Sequence, residues 1–177
     1  MEKIFIEKIG KIIKHKSNIE KYLKVRLLIS DEGITIISKN DDAYNEFIAK
    51  NVVIALEQGF SFESAMNLKN EDYMFQQISV KSIARPSRLK TIMARIIGEK
   101  GRTKEIIAEM TGCDVAVHDY NVSVIGNTED VEIAAQAIRS LIQGSPQASV
   151  YAYLERNRKF RKYKEEDLGL REVKKKK

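Results

Sequence analysis

Gly98 and Gly101 frame Glu99 and Lys100, and cations crowd the same stretch as Arg95, Lys100, Arg102 and Lys104. Two glycines around two residues let a backbone turn sharply with nothing projecting from the turn. A sugar-phosphate strand can lie against such a turn while neighbouring cations neutralise its charge. The same four residues also fit a plain loop between two helices, with the glycines serving only as caps. The spacing alone does not choose between these readings.

The flanking segments supply context. Leu89, Ile92, Met93, Ile96 and Ile97 recur at three- and four-residue steps, one face of a helix, with Pro86-Ser87 as its start signal. Ile106, Ile107 and Met110 repeat that spacing until Thr111-Gly112 ends a second helix. The glycine pair therefore joins two short helices. Asp114 to Val117 and Val122 to Ile125 alternate as strands around Asp119-Tyr120-Asn121, and Ile78 to Val80 reads as a further strand. Another helix carries Val131, Ala134, Ala135, Ile138, Leu141 and Ile142 on one face.

The chain has 177 residues, 43% of them apolar and 32% charged, with a net charge of +6. That is enough for one large or two small cores, and the positive balance favours an anionic partner, nucleic acid being the commonest. No apolar run is long enough to span a membrane, and Met1-Glu2-Lys3 opens without the apolar core of a signal peptide. The expected location is cytoplasmic. The single Cys113 excludes an internal disulfide and a cysteine-built metal site, and reads as a buried small side chain. His15 and His118 lie near no acidic ligand pattern. With no nucleophile motif, metal box, Walker loop or dinucleotide fingerprint, neither an enzyme activity nor a cofactor is expected.

The chain also repeats itself. Leu27 to Ile29 stands 88 positions before Val115 to Val117, and Ile34 to Ile37 keeps that offset from Val122 to Ile125. A helix with Tyr44, Phe47, Ile48, Asn51, Val52 and Ala55 on its mainly apolar face follows, and Leu56 to Gly59 echoes Leu141 to Gly144 at an offset of 85. At the unbroken offset Gly10 to Ile13 faces Gly98 to Gly101, which leaves little room for an opening strand. The preferred alignment slides the front part, with Lys3 to Ile6 as a strand, then a short helix, then Lys14-His15-Lys16-Ser17 as the loop and a shortened second helix. Neither register supplies both glycines. Ser61 opens a short helix through Phe62, Ala65, Met66 and Leu68, and a short polar joint at Lys69 to Asp72 suggests one rigid two-lobed body. Gly144-Ser145-Pro146 stops the last repeat helix, after which Val150, Tyr153 and Leu154 mark an amphipathic helix facing the body. From Glu155 onward the charge is dense. A solvated tail and an auxiliary RNA contact through basic residues interleaved with Phe160 and Tyr163 are equal readings.

The order strand, helix, GxxG, helix, strand, strand, helix resembles a type I KH domain with Ile97 to Gly101 as its signature loop. The expected fold is α+β: two tandem type I KH domains, each a three-stranded antiparallel sheet packed on three helices, then a C-terminal helix and basic tail. The expected divisions are a degenerate unit lacking GxxG over 1–59, a short helix and linker over 60–72, the GxxG unit over 73–146, and the C-terminal helix and tail over 147–177. Ile96 to Thr103, Gln58 to Ser61 and the segment Gly144 to Glu155 look like archaeal members of the Partner-of-Nob (Dim-two) family.

That resemblance implies a small-subunit ribosome assembly factor that binds the 3′ end of small-subunit rRNA. The implied partners are the Nob-type endonuclease, the Dim-type rRNA dimethylase and the alpha subunit of initiation factor two. It also implies a grip on single-stranded RNA through Arg95, Ile97, Gly98, Glu99, Lys100, Gly101, Arg102, Thr103, Lys104, Ile107 and Val117. Lys100, Arg102 and Lys104 would sit on phosphates, Ile97, Ile107 and Val117 would bound the base-facing groove, and Glu99 would point to solvent. Lys104 stands where many KH domains place an aliphatic groove residue, which suggests a further phosphate contact. The first unit lacks the glycine loop that archaeal relatives usually keep, and reads as a protein-contact half. The competing reading is an adaptor of the initiation or assembly machinery whose RNA binding is incidental.

Overall fold

The computed structural model describes residues 2–6, 9–30, 33–38 and 42–168. Two three-stranded antiparallel sheets follow one another along the chain. The first holds β1 (Glu2–Ile4), β2 (Val25–Ser30) and β3 (Gly33–Ser38) in the order β1-β3-β2, with helices α1 (Gly10–Leu23), α2 (Ala43–Gln58) and α3 (Phe62–Met66). The second holds β4 (Tyr73–Ser79), β5 (Asp114–His118) and β6 (Asn121–Asn127) in the equivalent order β4-β6-β5. Its helices are α4 (Val80–Ile83), α5 (Leu89–Ile97), α6 (Arg102–Thr111) and α7 (Thr128–Gln143), and α8 (Gln147–Asp167) completes the described chain. Among the described residues no helix is long and apolar enough to cross a membrane.

The helix register in the first half corrects the preferred alignment. Lys14, His15, Lys16 and Ser17 lie inside α1, not in a loop, and the His15 ring stacks on Phe62 at 4.5 Å. Ile12, Ile19 and Leu23 are buried at helical spacing across that stretch, with no glycine or proline between them to end the helix. The unbroken offset is therefore the right one here. Lys24, in a left-handed conformation after α1, stands 88 positions before Gly112, left-handed after α6. Among the described residues the first half shows no counterpart of α5 or of the glycine loop after it. The second half differs in smaller ways: β4 starts at Tyr73 and Val80 belongs to α4, not to a strand.

Two cores meet through the second sheet. Facing residues Phe75 and Ile125 share a face of it with Ala116. Ile125, 1% exposed, joins the first core, with Phe75 and Ala116 packed against it, and the Phe60 ring meets Phe75 edge-on at 6.5 Å. This packing explains why α2 departs from a simple amphipathic pattern. Ala49, Val53 and Leu56 are buried alongside Ile48, Val52 and Ala55, whereas Tyr44 and Phe47 are about half exposed.

The C-terminal helix is longer than expected, running to Asp167, and is held against the body as far as Arg161, while Phe160 and Tyr163 stay exposed. Arg161 Nη1 donates to the Thr111 carbonyl at 2.7 Å and pairs with Asp130, while Arg158 Nη1 lies 3.4 Å from Met110 Sδ. Arg161 thereby satisfies carbonyls at the C-terminal end of α6, where a helix leaves acceptors unpaired and favours positive charge, and Arg158 adds a second cation there. The basic closing residues Lys174 to Lys177 lie outside the described residues.

Candidate nucleic-acid interface

α5 follows a 3-10 turn at Pro86–Arg88, and no side chain caps its start, so Ser87 marks the turn without holding the helix. Ile92, Met93 and Ile96 are its buried face. The helix ends when the Gly98 amide donates to the Ala94 carbonyl at 2.8 Å. Gly98 then takes φ 76° and ψ 175°, Lys100 takes φ 51° and ψ 28°, and Gly101 takes φ 85° and ψ 3°. The Gly101 amide closes the turn on the Gly98 carbonyl at 3.2 Å. Gly98 has no alternative: a Cβ there would fall 2.6 Å from the Thr103 amide nitrogen. Gly101 is required by its backbone angles alone, since the space around it is open.

The turn delivers the chain into α6 with Gly101 as N-cap and no side-chain acceptor on the first-turn amides. The Arg102 amide donates to the Glu99 carbonyl, and the amides that follow it, at the positive end of the helix, are left without a side-chain acceptor, where an anion can be taken. Glu99, Lys100 and Arg102 are exposed, while Ile97, Gly98, Gly101 and Lys104 are half-buried. Among the described residues no ion pair engages Lys100, Arg102 or Lys104. Val117 on β5 is half-buried, leaving part of its side chain open.

Two expected contacts are corrected. Thr103, Ile107 and Thr111, one helical turn apart, are the buried stripe of α6, and Ile107 is 0% exposed. Ile107 is therefore core rather than groove wall. Thr103, 2% exposed, turns inward beneath Gly98, where its hydroxyl accepts from Gln147 Nε2 at 3.0 Å and lies 3.1 Å from the Tyr151 hydroxyl. The Arg95 guanidinium lies beside Gly144, at the end of α7. Arg85 and Arg88, both exposed, were not singled out from sequence. They flank the start of α5, about 13 Å of helix from the loop. Lys81, just upstream, lies over the Tyr120 ring at 4.8 Å.

A cavity of about 650 Å³ lies elsewhere, between β4, α7 and α8, and includes Glu129, Glu132 and Gln76. None of the loop residues lines it. Among the described residues no cluster of three or more metal-ligating side chains is arranged to hold an ion.

The second half is a KH domain: a family model described as the eukaryotic-type (type I) KH domain, specific to the second KH domain of PNO1, matches residues 74–159. The chain is 32% identical to a KH domain-containing protein of Methanocaldococcus jannaschii, over 88% of this chain and 72% of that one. It is 27% identical to the pre-rRNA-processing protein PNO1 of Chaetomium thermophilum, over 73% of this chain, and it spans only about half (52%) of that relative's length. Among solved structures, Dim2p within the a/eIF2alpha-aDim2p-rRNA complex of Pyrococcus horikoshii superposes with a TM-score of 0.81 at 39% identity, covering 89% of this chain and 93% of that one. The chain belongs to the archaeal branch of the PNO1/Dim2 family of KH proteins.

Proposed function

We propose that this protein is a single-stranded RNA-binding factor of small-subunit ribosome biogenesis that holds the 3′ end of small-subunit rRNA through the second half of its chain. The observation that carries the reading is the open turn at Gly98 to Gly101, feeding an uncapped helix start with Lys100 and Arg102 facing outward. Backbone amides and these cations take phosphates, Lys104 adds a contact from the half-buried side, and Ile97 and Val117 meet bases. Glu99 repels phosphate and sets the strand to the other side of the turn. The naming of a relative for pre-rRNA processing and the presence of rRNA in the Dim2p complex support the same reading. The protein acts by binding, not by catalysis, in the cytoplasm.

The first half, 1–59, is a degenerate KH-like unit that has lost its first helix and loop, joined through 60–72 to the RNA-binding unit over 73–146. Its role is protein contact. Phe5 is 75% exposed and Phe47 56%, which favours a protein partner over RNA there. The alpha subunit of initiation factor two is the first candidate, since the Dim2p complex contains it. The Nob-type endonuclease and the Dim-type dimethylase are further candidates.

Lys100→Asp tests the loop without breaking it, because aspartate tolerates the left-handed angles of position 100 and the side chain is exposed. Binding to a single-stranded RNA copied from the 3′ end of small-subunit rRNA is expected to weaken at least tenfold. The dependence of log K on log salt is expected to fall by about 0.7. Unchanged affinity and slope in a folded variant would overturn the reading. Crosslinking in cells followed by sequencing of the attached RNA tests the 3′ end itself.

A further inference from the structure

The Thr103 hydroxyl lies against Gly98 on the inner side of the phosphate-binding turn, where the C-terminal helix holds it. Gln147 Nε2 donates both to Thr103 Oγ1 at 3.0 Å and to the Arg95 carbonyl at 3.3 Å. One amide group thus bridges the last turn of α5 and the first turn of α6, the two helices that the glycine turn connects. Tyr151, one turn further along α8, brings its hydroxyl to 3.1 Å from the same Thr103 oxygen. Thr103 in turn fills the space that the missing Gly98 side chain leaves. The same stripe of α8 continues through buried Leu154 to Arg158 and Arg161, which hold the far end of α6. The two helices run side by side, fastened at both ends.

We infer that Gln147 and Tyr151 are positioning residues for the phosphate-binding turn, acting through Thr103. They touch no RNA. They fix the distance between the end of α5 and the start of α6, so that the amides of α6 and the side chains of Lys100 and Arg102 are presented in one arrangement before RNA arrives. A bound strand then loses less freedom in the protein than it would on a loose loop, and preorganisation of this kind shows mainly as a slower off-rate. The inference deepens the RNA-binding reading and rests on it.

The test uses the full chain and a fluorescein-labelled single-stranded RNA copied from the 3′ end of small-subunit rRNA. Gln147→Leu, Tyr151→Phe and Thr103→Val each remove hydrogen-bonding capacity while keeping volume, and Thr103→Ser retains it. Each of the first three is expected to bind about fivefold more weakly through a faster off-rate. The salt slope stays at the parent value, since no phosphate contact is removed. Amide exchange over residues 98–103 rises, and Thr103→Ser restores both affinity and protection. If Gln147→Leu and Thr103→Val keep the parent off-rate and exchange while Lys100→Asp loses binding, the RNA-binding turn stands and this inference falls. If Lys100→Asp also binds as the parent does, the turn itself has been misread and both fall. Where one variant fails to fold, Tyr151→Phe, which removes a single oxygen from a half-buried side chain, decides alone.

Discussion

Replacing each glycine of the turn by alanine separates two kinds of requirement that sequence alone treats as one. At Gly98 the angles of 76° and 175° fall in a region that only glycine occupies, which costs an alanine about 1–3 kcal/mol. The new methyl would also sit 2.6 Å from the Thr103 amide nitrogen, a backbone atom that cannot rotate aside. Moving α6 to relieve that overlap adds about 1–3 kcal/mol, the usual range for forcing extra volume into a packed site. At Gly101 the left-handed angles cost about 1–2 kcal/mol, and the nearest atom, Glu105 Oε1, is 4.0 Å away. Gly98→Ala should therefore cost about 3 kcal/mol and Gly101→Ala about 1 kcal/mol. For a chain of this size that corresponds to melting-temperature losses of about 6–12 °C and 2–4 °C, read by circular dichroism on heating. Adding Thr103→Ala to Gly98→Ala should recover little, because the obstructing backbone nitrogen remains. Equal losses at the two glycines, or full recovery by the threonine change, would refute the reasoning.

Further outcomes follow from the packing and the titrating groups. Arg161→Met removes the Asp130 pair and the cap on the Thr111 carbonyl, and should cost about 1–3 kcal/mol; urea unfolding and faster amide exchange along the second half of α8 check it, and an unchanged exchange pattern would contradict the packing of that helix. Ile125→Ala empties a fully buried site where the second sheet packs into the first core, and should cost about 2–5 kcal/mol and split one unfolding transition into two, visible by calorimetry. Burial raises the Cys113 thiol from 9.0 to about 11, so the unfolded chain ionises first as pH rises. Its contribution to stability is complete below about pH 9 and is lost toward pH 11; chemical unfolding across that range, with Cys113→Ala as the flat control, measures it.

The legible parts of the chain were those where one face is buried and the rest is not. α7 shows six of its seven buried residues directly, Ala137 being the exception, and β5, β6 and the helices around the turn follow from two simple periods. α2 was harder because the second sheet buries a second flank of it, so apolar residues no longer mark a single face. The helix phase of α6 decided which residues can reach a ligand. Spacing places Thr103 and Ile107 near the turn, but their burial depends on the 103–107–111 stripe facing inward, which only packing fixes. The far end of α8 reads as a solvated run because arginine usually is solvated. Here Arg158 and Arg161 are held by acceptors at the end of α6, more than forty residues earlier, which leave no local signal. In the first half, a loop matching Gly98 to Gly101 would break α1 between Ile13 and Asn18, where the residues themselves offer no break.

The most direct measurement of the central claim is photocrosslinking of the full chain to single-stranded RNA from the 3′ end of small-subunit rRNA, with the modified peptides located by mass spectrometry. Attachment should concentrate on 95–104 and on β5 around Val117, and should vanish in Lys100→Asp. Crosslinks confined to the first half, or to residues beyond Glu155 with 95–104 untouched, would contradict it.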